Sequence, residues 1–133
     1  MKEDFILKNN LYKILRIHEW EVASSKHQIV TDLDTEDGFI HLSTAAQLAG
    51  TLSFYFKESD SVFLLQLDLD KIDGEKLIFE EPYINEGKRK SSFPHLYSEL
   101  YTNQISNIWN IKRGAFNLPD EVILQAENLS LKS

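Results

Sequence analysis

The sequence DGFIHLST, residues 37–44, contains a turn, a strand and the start of a helix within eight residues. The glycine at position 38 marks the turn, and the residues after it alternate in polarity as in a strand. On an extended chain His41 and Ser43 lie on the same face, about 6.6 Å apart at ~3.3 Å per residue. The two side chains are therefore predicted to converge on one ligand at the end of this strand.

A helix is predicted to follow this strand directly. Thr44 and Gln47 form a capping-box pair, in which each side chain bonds to the backbone of the other residue. Apolar residues then continue at helical spacing to about residue 57. Because a helix start presents unpaired N–H groups and a partial positive charge, Ser43 and Thr44 are candidates to receive an anionic group.

Two roles fit His41. In the first, its ring forms a hydrogen bond with a ligand at the start of the helix. In the second, it is a structural histidine bonded to a nearby carbonyl or to Asp37. Residue spacing leaves both roles open.

The second candidate motif is FPHLY, residues 93–97. His95 and Tyr97 share a face if the segment is extended, and proline at position 94 favours an edge strand because it has no N–H. The pair suits ligand binding or acid–base chemistry, or else Tyr97 packs its ring and bonds through its hydroxyl at the rim. Glu80 ends an apolar strand and is a candidate to stabilise positive charge in a cleft, although most such carboxylates are simply solvated.

The remaining pattern predicts an α+β fold with one mixed, mostly antiparallel sheet and flanking helices. The run VFLLQL at 62–67 is nearly continuously apolar, which predicts a central strand buried on both faces. Residues 29–35 are predicted to be extended or loop. Further strands are predicted at 11–17, 76–80 and 105–112, and further helices at 18–23 and 120–128.

Length and charge restrict the class of protein. The 133 residues suit a single domain spanning 1–133. The net charge of -7 argues against a nucleic-acid partner, because acidic surfaces repel phosphate backbones. The one dense basic cluster, Lys88-Arg89-Lys90, suits either a local anion contact or a solvated loop. No signal-peptide core or membrane-spanning apolar run is visible, so we expect no membrane partner and a cytoplasmic location.

Metal and cofactor motifs are absent from the sequence. There is no cysteine, and the four histidines form neither an HxH nor an HExxH pair, so no metal is predicted. A site in which His41 and His95 meet near a carboxylate is the alternative. Nucleotide-binding glycine motifs and a serine nucleophile motif are also missing from the sequence.

Three stretches together resemble the domain-of-unknown-function family numbered 952. They are YKIL at 12–15 followed by Glu19-Trp20, DGFIHLST at 37–44, and FPHLY at 93–97. The likeness covers about residues 11–120, which is nearly the whole chain. The family is named for having no assigned activity, so this resemblance implies none.

A more distant similarity in fold to ADP-ribosyltransferases, which split NAD, implies specific roles. Those enzymes use a His or Arg on an early strand, a Tyr or Ser motif on a strand leading into a helix, and often a Glu on a later strand. By this resemblance Tyr12 occupies the first position, residues 38–43 the second and Glu80 the third. Tyr12 departs from the pattern, because a His or Arg is expected there.

The sequence thus predicts a domain that binds a small anionic ligand, with NAD or another nucleotide or phosphorylated compound as the candidate. His41 and Glu80 are the candidate catalytic residues. The candidate binding residues are Tyr12, Ser43, Thr44, His95 and Tyr97. The alternative is a non-catalytic binding or regulatory module of the same fold.

Overall fold

Antiparallel strands form two sheets in the computed structural model, which describes residues 10–81, 92–112, 119, 121 and 122. The strands are β1 (Leu11–Arg16), β2 (Ile40–His41), β3 (Ser43–Thr44), β4 (Ser61–Leu67), β5 (Leu77–Glu80), β6 (Phe93–Leu96) and β7 (Ile105–Lys112). The α-helices are α1 (Ile17–Lys26), α2 (Asp32–Asp37) and α3 (Leu48–Tyr55). Short 3-10 turns cover Ala45–Gln47, Leu69–Lys71, Gly74–Lys76 and Thr102–Gln104.

Strand β4 is the central element, as its apolar run predicted. It pairs with β1 on one side and β7 on the other, in a four-stranded sheet of order β3-β1-β4-β7. Successive side chains of a strand point to opposite faces, and Leu64 and Leu65 are both fully buried. Leu65 belongs to one apolar cluster and Leu64 to a second. The strand therefore contributes to the cores on both faces of the sheet.

The prediction of one sheet was wrong, because the chain changes sheets at Leu42. Before it, β2 pairs with β6 in a three-stranded sheet of order β2-β6-β5. After it, β3 pairs with β1 in the four-stranded sheet. The Leu42 N–H donates to the Pro94 carbonyl at 3.1 Å, which fixes the bend against β6. The motif at 37–44 therefore links the two sheets.

Helix α2 also differs from the prediction, which assigned residues 29–35 to loop or extended chain. The Thr31 hydroxyl accepts from the Asp34 N–H at 3.1 Å, and the Asp34 carboxylate accepts from the Thr31 N–H at 3.0 Å. This reciprocal capping satisfies two donors at the helix start. The helix ends at Gly38, whose φ of 86° is the left-handed conformation that glycine adopts without strain.

The helical segment that follows residues 37–44 begins at Ala45, one residue after Thr44. Ser43 and Thr44 lie in β3, and a 3-10 turn from Ala45 continues into α3, which ends at Tyr55. The Thr44 N–H donates to the Gln47 side chain at 3.0 Å, as the capping pattern predicted. The first helix and the strands at 11–17, 76–80 and 105–112 are confirmed with small shifts in their bounds.

Some predictions lie outside the described residues. They include the basic cluster Lys88-Arg89-Lys90 and most of the predicted helix at 120–128, of which positions 121 and 122 are helical. In the part of the chain that is described, no helix is long and apolar enough to cross a membrane. The described residues form the predicted α+β architecture, with all of their strand pairs antiparallel.

Candidate functional site

A cavity of about 240 Å³ lies where the two sheets meet. Strand β1 supplies one wall, and the segment that joins β2 to β3 supplies another. The three α-helices and the strand β6 contribute further lining residues. The polar side chains on its wall include those of Tyr12, Lys13, Asp34, His41, Ser43 and His95.

Lys13 and Asp34 form a buried ion pair at this cavity. The Lys13 ammonium lies 2.8 Å from Asp34 Oδ2 and donates to the His41 carbonyl at 3.0 Å. Their side chains are only 5% and 1% exposed, so neither charge is solvated. Removing either partner leaves the other ion buried and unpaired, which is a strongly destabilising change.

Asp34 is the centre of a hydrogen-bond network. Besides Lys13, its carboxylate accepts from the backbone N–H of His41 at 2.9 Å and faces His41 Nδ1 at 2.7 Å. Burial by itself raises the pKa of this carboxyl, but the donors on His41 and Lys13 outweigh burial and hold the pKa well below its usual range. Asp34 is therefore a permanent carboxylate at neutral pH.

Both ring nitrogens of His41 face carboxylates. Nδ1 lies 2.7 Å from Asp34 Oδ1, and Nε2 lies 2.9 Å from Asp37 Oδ2. Carboxylate oxygens only accept, so the doubly protonated ring is the form that donates to both at once. The contact with Asp37 is the one that the structural role predicted. His41 borders the cavity, but both of its nitrogens are already engaged.

His95 has one engaged nitrogen and one that has no hydrogen-bond partner in the described part of the chain. Nδ1 lies 2.7 Å from Glu80 Oε1, and the ring stacks on Phe39 with centroids 3.9 Å apart. Burial lowers the pKa of His95, and the Glu80 carboxylate only partly offsets this. A neutral ring that donates through Nδ1 carries its lone pair on Nε2. Among the described residues no unpartnered polar side-chain atom is fully buried, so Nε2 keeps some access to the cavity or to solvent.

Glu80 contacts both His95 and Tyr97. The Tyr97 hydroxyl donates to Glu80 Oε1 at 2.7 Å. The hydrogen bonds from Tyr97 and His95 lower the pKa of Glu80. The bond with Glu80 raises the pKa of the Tyr97 hydroxyl. The predicted residues Glu80, His95 and Tyr97 are thus brought together, but only His95 lines the cavity.

The two histidines lie directly opposite each other on paired strands. His41 and His95 are register partners of β2 and β6, with ring centroids 5.7 Å apart. No group of three or more metal-binding side chains has the geometry to hold a metal ion within the described ranges.

The three predicted binding residues on the four-stranded sheet differ in whether they line the cavity. Tyr12 and Ser43 are register partners and both line the cavity. Burial, and secondarily the charge of Glu121, raises the pKa of the Tyr12 hydroxyl. The Ser43 hydroxyl lies 2.9 Å from the Thr51 hydroxyl on α3. Thr44 is buried but does not line the cavity.

The sequence patterns did not predict the roles of Lys13 and Asp34. Two signals were present in the sequence. A lysine stands in the middle of the apolar strand LYKIL at 11–15, and Thr31 with Asp34 forms a capping pair. A charged residue in a buried strand requires a partner, but the 21-residue separation hides which carboxylate supplies it.

Comparison with known proteins identifies the family but gives no activity. No curated protein matches the chain. The crystal structure of protein CC0527 from Caulobacter crescentus is similar with a TM-score of 0.71 and 28% identity, covering 86% of this chain and 98% of that one. The solution NMR structure of CC0527 gives a TM-score of 0.64 and 29% identity, covering 77% and 84%. The family model described as "Protein of unknown function (DUF952)" matches residues 14–108, and the chain therefore belongs to that family.

Proposed function

We propose that this chain binds a small molecule in the cavity and transfers a proton to or from it, with His95 as the acid–base group. Glu80 is the positioning residue for that histidine. The observation that carries the proposal is the 2.7 Å contact between His95 Nδ1 and Glu80, which leaves Nε2 for a ligand.

The size of the cavity supports a small ligand. An apolar cavity of about 150 Å³ accommodates benzene, and pockets for drug-sized molecules span about 300–1,000 Å³. At about 240 Å³, this cavity suits a molecule of one ring or one such part of a larger ligand. Apolar side chains such as Ile14, Leu42 and Phe93 share the wall with the polar ones.

The chemistry of His95 supports proton transfer. A general base needs an accessible lone pair and a pKa near or below the working pH, and a hydrogen-bonded carboxylate keeps its ring in one tautomer. Burial of His95 favours the neutral ring, and Glu80 accepts its Nδ1 proton. This pairing of a base with an orienting carboxylate recurs in enzymes that activate O–H or N–H groups.

Splitting of NAD in the manner of ADP-ribosyltransferases is one specific reaction under this proposal. It requires a carboxylate that faces the positive charge developing on the ribose. Glu80 bonds instead to His95 and Tyr97 and does not line the cavity. Release of nicotinamide from NAD by the purified chain tests this reaction, and no release excludes it.

A second candidate is a binding or regulatory module without turnover. The complete engagement of both His41 nitrogens favours it, because a residue held by two carboxylates contributes stability without contacting a ligand. If the chain is such a module, we expect a ligand to stabilise the protein without being chemically changed.

Binding experiments with His95 variants test the leading proposal. Thermal shift and calorimetry with NAD, ADP-ribose, nicotinamide and benzamide are expected to show binding of at least one probe by wild type. His95→Phe keeps a ring but removes Nε2, and it is expected to weaken binding at least about tenfold. His18→Ala, at an exposed position on α1, is the matched control. The absence of binding by wild type, or equal binding by His95→Phe, would contradict the proposal.

A further inference from the structure

We propose that the ligand of this cavity is an uncharged one-ring molecule that presents an N–H or O–H group to Nε2 of His95. This inference rests on the proposed function and specifies its substrate class. It differs from the anionic ligand that the sequence predicted.

The positive charges on the cavity wall are already paired. The Lys13 ammonium lies 2.8 Å from the Asp34 carboxylate. The Arg16 guanidinium lies 3.3 Å from Glu58 and 4.5 Å from the centre of the Phe56 ring. Among the described residues, the wall thus holds no Lys or Arg without a carboxylate partner.

Arg16 has further contacts that hold it in place. Its guanidinium donates to the Tyr55 carbonyl at 2.9 Å and lies 3.9 Å from Glu19. A ligand carboxylate at Arg16 would share the guanidinium with these partners. The Arg16 side chain is 36% exposed and already lies near two carboxylates, so a further ion pair there contributes little.

The carboxylates on the wall also disfavour an anion. Asp34, Asp37 and Glu19 all line the cavity. Asp37 faces the ring of His41 at 2.9 Å, so the charge of that ring, when it is protonated, is shared by two carboxylates. An anionic group in this cavity lies near these carboxylates, and the Lys and Arg of the described wall already have carboxylate partners, so its partial loss of hydration is poorly compensated.

His95 lines the cavity, and its Nε2 has no hydrogen-bond partner among the described residues, so this nitrogen sets one requirement on the ligand. His95 Nε2 is an acceptor when Nδ1 donates to Glu80. A ligand that covers this acceptor without donating to it leaves it unsatisfied and out of water, which is unfavourable. A ligand with an N–H or O–H group satisfies it by donating a hydrogen bond, which directs the ligand's proton toward the acid–base group.

Comparing three one-ring molecules of nearly equal size distinguishes the effect of ligand charge from the effect of a hydrogen-bond donor. Benzamide is uncharged and donates N–H, benzoate is an anion at pH 7, and methyl benzoate is uncharged without a donor. Titrating the ¹⁵N-labelled wild-type chain with each is expected to give a dissociation constant for benzamide at least about tenfold lower than for the other two. The shifted resonances are expected to come from residues around the cavity.

Any other ranking of the three dissociation constants overturns a specific part of the inference. Benzoate binding as tightly as benzamide overturns the uncharged class, and methyl benzoate doing so overturns the donor requirement. Failure of all three to shift cavity resonances overturns the proposed function itself, and this inference with it. The wild-type ranking decides these outcomes without any variant.

Two variants assign the preference to His95. His95→Phe removes the acceptor, so benzamide and methyl benzoate are expected to bind alike. His95→Gln retains a side-chain acceptor, so it is expected to keep part of the preference for benzamide. An unchanged preference in His95→Phe would overturn the assignment to Nε2.

Discussion

Nδ1 of His95 lies 2.7 Å from Oε1 of Glu80, on the neighbouring strand of the three-stranded sheet. The same carboxylate oxygen accepts the Tyr97 hydroxyl at 2.7 Å. The two donors fix the carboxylate, and the carboxylate fixes the tautomer of the ring. Nε2 is consequently the nitrogen of this ring that has no hydrogen-bond partner among the described residues.

The pKa of His95 is expected to respond to Glu80. Burial lowers this pKa from its usual value, and the carboxylate acts in the opposite direction. Glu80→Gln removes the charge, so NMR titration of the His95 ring is expected to give a pKa lower than in wild type. Glu75→Gln, at an exposed position, is the matched control. A rise in the pKa of His95, or no change, would contradict the contact.

Stability is expected to depend on pH through the same histidine. The folded-state pKa of His95 lies below its unfolded-state value of about 6.5, so the fold prefers the neutral ring. The resulting stability is present above pH ~6.5 and is lost as the pH falls through the folded-state pKa. Urea unfolding between about pH 7 and 5 is therefore expected to show a smaller loss in His95→Phe than in wild type. Equal losses would show that His95 does not contribute.

The buried ion pair is expected to be essential for stability. Asp34→Ala leaves the Lys13 ammonium buried and unpaired, and we expect it to lower the free energy of unfolding by about 3–5 kcal/mol. Glu36→Ala, an exposed position on the same helix, is expected to change it by less than about 0.5 kcal/mol. Denaturant unfolding of both variants measures the difference. Similar small effects in the two would show that the pair is dispensable.

We expect His41 to contribute mainly to the stability of the fold and not to ligand binding. His41→Ala removes the hydrogen bonds of two ring nitrogens and leaves Asp34 and Asp37 short of a donor. We expect a loss of about 1–3 kcal/mol in the free energy of unfolding, compared with almost none for His18→Ala. An unchanged stability together with lost benzamide binding would instead make His41 a direct ligand contact.

Strand β4 provides a test of the fold itself. Leu64 and Leu65 face different cores, and both are fully buried. Leu64→Ala and Leu65→Ala are each expected to lower the free energy of unfolding by about 2–5 kcal/mol. Ile108→Ala on β7, where the side chain is 46% exposed, is expected to cost much less. A large effect at only one leucine would contradict the two-core arrangement.

Local signals predicted the elements that local chemistry determines. The apolar run at 62–67 marked the central strand because a strand buried on both faces carries apolar residues on both of them. The Thr44–Gln47 pair marked the helical turn because a cap involves residues three positions apart. A similar pair stands at Thr31 and Asp34, with Asp in place of the usual Glu or Gln, and it caps helix α2 where the sequence predicts an extended or loop segment at 29–35.

Non-local relationships were not predicted, because no short pattern contains them. The change of sheets at Leu42 depends on which strands lie on either side of it, and these are β1 and β6. The Lys13–Asp34 pair likewise joins residues 21 positions apart. The sequence did identify His41, His95 and Glu80 as individual candidates. The folded structure adds the contact between Glu80 and His95 and the second carboxylate, Asp34, beside His41.

The ¹⁵N spectrum of the histidine rings at pH 7, recorded with and without benzamide, tests the central claim most directly. We predict that His95 carries its proton on Nδ1, that Nε2 is unprotonated, and that benzamide shifts the Nε2 resonance as it donates an N–H bond. A His95 ring protonated on Nε2, or an Nε2 resonance that benzamide leaves unchanged at saturation, would contradict the account.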